Sequence, residues 1–220
     1  MIKAVFMDYT GTTLQEGGPD MQKLVKRICQ NSSLKDPKKA VELWWRLLKD
    51  YEEKSYGDNY MDENQVVDCI LKDLQEQIGL EDNLEELHQL VTNFWVYAPA
   101  FPDTEEFLKK CPLPVYIISN NGAAYVERGL KDKGFTCAGI ISGDMVRAYK
   151  PHRELFDRAL QVSGCRADQV IHVGDSYASD VQGARAAGIR PVLVDRSGQK
   201  RYPDVETVSS LTELLPILEV

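Results

Sequence analysis

A short apolar run, Ile2 to Met7, breaks into the polar turn Asp8 to Thr13, and no second strand-like run follows until Pro114. A lone strand has nothing to pair with, so this first one must belong to a sheet whose other strands come much later in the chain. That placement constrains the fold more than any other feature. It makes the long stretch between the two strands an insertion.

The later half supplies the partners. Val115 to Ile118, Ala138 to Ile141, Val170 to Val173 and Pro191 to Val194 are compact apolar runs, separated by helical patterns around Tyr125, Phe156 and Ala184. Strands alternating with helices read as a parallel sheet with crossover helices, an α/β, Rossmann-like core. The insertion reads differently, as four helices. Asp36 precedes Pro37 as an N-cap before a first-turn proline, Asp62 with Gln65 and Asn83 with Glu86 have capping-box spacing, and Gly79 is placed to end the third helix. Apolar residues at Val41, Trp44, Trp45 and Leu48, and at Val66, Val67, Ile70, Leu71 and Leu74, form stripes that should face each other in a small bundle. The expected organisation is a core from residues 1–15 and 100–220 and an all-helical unit over 16–99, with hinges at Gln15 to Pro19 and Ala98 to Pro102.

Composition narrows the partners. With 34 acidic and 26 basic residues the formal charge is −8, and no basic cluster is visible, which argues against nucleic-acid binding. An anionic substrate needs a local positive site instead. The apolar fraction, 43%, suits a soluble globular chain, and no apolar run reaches the roughly 20 residues of a membrane span. The opening residues do not resemble a secretory signal, so the expectation is a cytoplasmic protein, monomer or homodimer, without membrane contact. Cys29, Cys69, Cys111, Cys137 and Cys165 are too far apart for a close metal or redox pair and read as reduced structural thiols. His88, His152 and His172 are equally scattered and receive no role.

In a parallel α/β sheet the ligand crevice lies beyond the carboxyl ends of the strands, so the polar residues that end each strand belong together. The first strand ends in Asp8-Tyr9-Thr10-Gly11-Thr12 and the second in Ser119-Asn120-Asn121-Gly122. Lys150-Pro151 opens a helix, and a later strand ends in Gly174-Asp175-Ser176, with Asp180 five residues on. Singly, each has an ordinary structural explanation, such as a turn cap, a local hydrogen bond or a solvated helix start. Jointly they offer a carboxylate nucleophile, hydroxyl and amide donors, one cation and a carboxylate pair.

The order and setting of these elements resemble the haloacid dehalogenase superfamily, mainly Mg²⁺-dependent phosphatases, over the whole chain. Its four motifs correspond to Asp8 with its Gly-Thr turn, Ser119, Lys150, and Asp175 with Asp180, and the helical insertion falls where the family's cap falls. The resemblance implies a hydrolase acting on a small phosphorylated metabolite, with Asp8, Asp175 and the Thr10 carbonyl as Mg²⁺ ligands. It implies Thr10, Gly11, Thr12, Ser119, Asn120 and Lys150 as phosphate contacts, with Asp180 orienting Lys150 or a metal-bound water. A phosphate dianion beside three aspartates is strongly repelled at low dielectric, and a divalent cation with Lys150 offsets that charge. From the cap, Arg46, Lys49 and Lys54 are basic candidates for a substrate's second anionic group, although a charged outer helix face explains them equally well.

The implied chemistry is attack of Asp8 on phosphorus, release of an alcohol and hydrolysis of an aspartyl phosphate. Most of these phosphatases carry a second aspartate two positions after the nucleophile as acid and base; here that position is Thr10. Its loss should slow esters with poor leaving groups, because general acid–base help is worth about 10² to 10⁴ in rate. The Asp-x-Thr-Gly-Thr loop also resembles that of P-type ATPases, though nothing here spans a membrane. Two other functions compete: carbon–phosphorus cleavage like that of phosphonoacetaldehyde hydrolases, with Lys49 or Lys54 as a Schiff base, and non-catalytic phosphoryl binding. Carbon–halogen cleavage, which needs no metal, is disfavoured by Asp175.

Overall fold

A computed structural model describes residues 1–199 and 201–218. Strand β1 (Ala4–Met7) lies at the centre of a six-stranded parallel sheet with β2 (Val115–Ser119), β3 (Gly139–Ser142), β4 (Val170–Gly174), β5 (Arg190–Val194) and β6 (Glu206–Val208), in the order β3-β2-β1-β4-β5-β6. Val5 stands opposite Val115 on one side and Ile171 on the other. All four β1 residues are buried, as expected of a central strand covered on both faces.

Alternation along β1 divides the core. Ala4 and Phe6 face a cluster with Leu155, Phe156 and Ala159 of α7 (Arg153–Ser163) and Ala184 of α8 (Gln182–Ala186). Val5 and Met7 face the opposite layer, with Phe107 of α5 (Pro102–Lys110) and Val126 and Leu130 of α6 (Ala123–Lys133). The result is the three-layered α/β, Rossmann-like architecture that the strand–helix alternation implied. The last described helix is the short α9 (Leu215–Leu218).

Between β1 and β2 come α1 (Pro19–Gln30), α2 (Pro37–Lys54), α3 (Glu63–Ile78) and α4 (Leu84–Tyr97). Their ends largely follow the capping signals: Asp36 accepts from Lys38 and Lys39, Asp62 and Gln65 form a reciprocal box, and Gly79 closes α3 at φ 64°, whereas Asn83 accepts from Glu85 and Glu86 without a reciprocal box, because its own amide donates to Asp82. A left-handed residue at the end of α3 favours glycine. Helix α1 packs on α2 and α4, α3 packs on α2 and α4, and α4 also packs on α6 of the core. The stripe of Val66, Val67, Ile70, Leu71 and Leu74 is buried inside this bundle. Entry and exit run side by side: the Gln15 amide donates to Pro99 O at 2.8 Å, and Leu14 bridges Ala100.

Two details differ from the sequence reading. The third strand runs one residue later than expected, and β6 was not anticipated because only three residues pair and only Val208 among them is buried. Among the described residues no helix is long and apolar enough to cross a membrane.

Candidate active site

Strands β1, β2 and β4 end on one edge of the sheet, and each delivers a polar side chain there. Asp8 follows β1, Ser119 ends β2 and Asp175 follows β4. Lys150 comes from the segment before α7, and Asp180 from a π-helical turn, Tyr177–Val181, that follows β4. Such turns are rare and occur often at functional sites. Gly11 has φ 94°, and a Cβ there would strike the Asp175 carboxylate, so the turn after Asp8 closes only with glycine.

Lys150 joins the group together. Its Nζ donates to Asp8 Oδ1 at 2.5 Å and to Asp180 Oδ1 at 2.6 Å, with all three residues buried. Burial disfavours the ammonium charge, yet Asp180 and Asp8 hold the Lys150 pKa above its usual value. Burial also opposes ionisation of Asp180, but Lys150 and His172 overcome it and hold that carboxyl below the usual range. His172 Nε2 meets Asp180 Oδ1 at 2.9 Å and the Ser176 amide donates to Oδ2 at 3.1 Å, so the carboxylate is fixed at both oxygens. An ionised Asp acceptor requires a proton on His172 Nε2.

The remaining charge is unbalanced. Asp8, Asp175 and Asp180 present ligand atoms all within 4.8 Å of one another, with Lys150 bonded to Asp8 and Asp180 among them. Burial, opposed by Lys150 and assisted by Asp180, pushes Asp8 up to about 7. Burial and then Asp180 push Asp175 up to about 6. The cluster therefore favours added positive charge, and its donors are all oxygen, the set that a hard divalent cation takes.

A cavity of about 140 Å³ opens over these groups, lined by Asp8, Thr10, Ser119, Asn120, Lys150 and Asp175 from the sheet edge. Trp45, Leu48, Lys49 and Glu52 of α2 and Phe94 and Trp95 of α4 close it from the insertion. Thr10 Oγ1 donates to Asn121 Oδ1 at 2.8 Å, and Asn120 Oδ1 accepts the Lys150 amide at 2.8 Å. Gly11 and Arg46 lie in an adjoining outer cavity of about 880 Å³, which shares Glu16, Lys49 and Asp175 with the inner one. Thr12 is buried and gives its hydroxyl to Asp175 Oδ1 at 2.9 Å. Lys54 stands apart from the cavity, its Nζ 6.0 Å from the Tyr51 ring centroid.

Three residues without a role in the sequence reading are part of this region. His172 fixes Asp180, and only its place two residues before the Gly-Asp pair hinted at that. Glu63, at the start of α3, accepts from the Gly122 amide at 2.7 Å and Asn121 Nδ2 at 3.3 Å, tying the insertion to the loop after β2. Burial pushes its carboxyl up to about 8. Glu52 reaches the cavity from the last turns of α2 and stands beside Asn120. Neither glutamate has a local sequence signal, because each acts across the boundary between insertion and sheet.

Fold and site together define a hydrolase class, and comparison with known proteins identifies it. The model of the haloacid dehalogenase-like hydrolase family matches residues 2–188, and the chain belongs to that family. It is 31% identical over 211 residues to haloacid dehalogenase-like hydrolase domain-containing protein 3 of Danio rerio, covering 86% of this chain and 85% of that protein. It is 29% identical over 169 residues to the phosphatase MT3486 of Mycobacterium tuberculosis, covering 72% and 75%. The structure of L-2-haloacid dehalogenase from Xanthobacter autotrophicus superimposes with TM-score 0.80 at 22% identity over 100% of this chain and 99% of that one, a likeness of fold.

Proposed function

We propose that this hydrolase is a Mg²⁺-dependent phosphatase that acts on a small phosphorylated metabolite through an aspartyl phosphate on Asp8, with residues 16–99 as its cap. One observation carries the reading: Lys150 sits between Asp8 and Asp180 while Asp175 stands in the same oxygen cluster. The similarity to a mycobacterial phosphatase supports it. Retention of Asp175 favours phosphate over halide chemistry.

Asp8, Asp175 and the Thr10 carbonyl would hold the metal, and the all-oxygen donor set fits Mg²⁺. When bound, Mg²⁺ offsets the carboxylate charge and polarises a phosphoryl oxygen. Everything else falls to side chains of this chain. Lys150, held by Asp180, keeps the Asp8 carboxylate oriented and balances charge developing on the phosphoryl oxygens. Ser119 and Asn120, at the end of β2, hold those oxygens. Asp8 attacks phosphorus, the ester P–O bond breaks, and water later attacks the same phosphorus to release phosphate and free Asp8. Thr10 offers no exchangeable carboxyl proton, so a proton for a poor leaving group has to come from another side chain.

The test is hydrolysis of an aryl phosphate with and without Mg²⁺. Wild type turns it over, while chelation or Asp8→Asn reduces the rate at least about 10³-fold, as expected for loss of a nucleophile. Equal rates in wild type and Asp8→Asn would overturn the reading. Carbon–phosphorus cleavage keeps one supporting observation, that Lys49 lines the cavity. A lysine adduct trapped by borohydride with a phosphonoaldehyde would favour it.

A further inference from the structure

We propose that Glu52, on the inner face of α2, is the general acid and base that Thr10 does not supply in this active site. The assignment rests on the phosphatase reading above.

Its geometry comes from the helix. Trp45 and Leu48, and Lys49 and Glu52, are three residues apart, and Trp45 and Lys49, and Leu48 and Glu52, four apart, which places them together on the face of α2 that lines the inner cavity. Asp8 attacks from the sheet edge, and an in-line displacement sends the leaving oxygen away from it, toward the groups contributed by the insertion. Glu52 is the carboxyl that α2 brings to that side. Its place relative to the loop after β2 is also set: Asn120, whose Oδ1 accepts the Lys150 amide at 2.8 Å, lines the same cavity beside the Glu52 carboxyl. Glu52 thus stands beside the loop expected to bind the phosphoryl oxygens.

Its environment suits the task. Burial pushes the carboxyl up to about 7, with Asn120, Lys150 and Lys49 opposing and Asp8 assisting the rise. A carboxyl so placed is about half protonated at neutral pH and exchanges its proton readily, the condition for acid and base work in one cycle. Glu16, another carboxyl at the cavity, belongs to its exposed mouth and also borders the outer cavity beside Asp175.

Protons balance over the cycle. As Asp8 Oδ bonds to phosphorus and the ester P–O bond breaks, the Glu52 proton passes to the leaving alkoxide, giving the alcohol. The resulting carboxylate then takes a proton from the attacking water as its oxygen bonds to phosphorus and the Asp8–phosphorus bond breaks. Phosphate leaves, and both residues return to their starting states.

The experiment compares an alkyl and an aryl phosphate in wild type, Glu52→Gln and Glu16→Gln, with thermal unfolding to check folding. Gln keeps the size of Glu52. Glu52→Gln should lower kcat on the alkyl ester by about 10² or more and on the aryl ester by less than about tenfold, since only the poor leaving group needs the proton. Glu52→Asp should recover part of the alkyl rate. Equal losses on both esters, or a selective alkyl loss in Glu16→Gln instead, would overturn the assignment while leaving the phosphatase reading intact. Wild-type inertness toward both esters would overturn both.

Discussion

Thr10 stands two positions after Asp8 with no carboxyl to offer, and its hydroxyl is committed to Asn121 at 2.8 Å. Replacing it with a carboxylate adds acid–base capacity from the side of Asp8. Thr10→Asp should therefore raise turnover of an alkyl phosphate by about tenfold or more in a Glu52→Gln background, and by less where Glu52 is intact. Steady-state kinetics on the two backgrounds measures this. An unchanged or lower alkyl rate would contradict the role given to position 10. Among single residues, the sequence was most informative about those that end strands. Asp8, Ser119 and Asp175 follow directly from where apolar runs stop, and Lys150 and Asp180 from helix starts nearby. His172 was not legible, because its importance is a contact with Asp180 across a turn, and a buried histidine in an apolar run looks the same with or without it.

Among the elements, α3 and the loop after β2 depend on each other through Glu63. Its carboxyl is buried and accepts from Gly122 and Asn121. Burial raises it from an ordinary 4.5 to about 8, so the folded chain binds this proton more tightly than the unfolded chain does. Stability from this site is thus fullest below about 4.5 and is lost as pH rises through about 8. Glu63→Gln removes that dependence. The Tm of the variant minus that of wild type should be larger at pH 9 than at pH 5, read by thermal unfolding; an identical difference at both pH values would contradict burial of a protonated carboxyl. The helices themselves were largely legible, since Asp36, Asp62 and Gly79 cap as their types and spacings suggest, while Asn83 caps α4 without the box that its spacing to Glu86 implied, its amide being taken by Asp82. The short edge strand β6 was not, because three residues with one buried side chain carry almost no pattern.

For the whole molecule, a four-helix unit threads into an α/β sheet through two segments that run side by side, Gln15 pairing with Pro99 and Leu14 with Ala100. Further ties hold the unit over the sheet edge: Tyr149 donates to Met61 O at 2.8 Å, and the Gly57 amide donates to Arg147 O at 2.9 Å. The fold class followed from one strand stranded far from its partners. What the linear pattern did not contain was the docking of insertion on sheet, which decides that Lys49 and Glu52 reach the inner cavity, Arg46 the outer one, and Lys54 neither. Helical periodicity shows which residues share a face, not which face meets the sheet.

Every catalytic role assigned above depends on Asp8 carrying the phosphoryl group. Acid quenching of the enzyme during turnover of an aryl phosphate with Mg²⁺, followed by peptide mass spectrometry, examines that step itself. A phosphoryl group on the peptide at Asp8, absent from Asp8→Asn, is the predicted result. Sustained phosphate release with Asp8 unmodified, or modification of another residue that persists in Asp8→Asn, would contradict it.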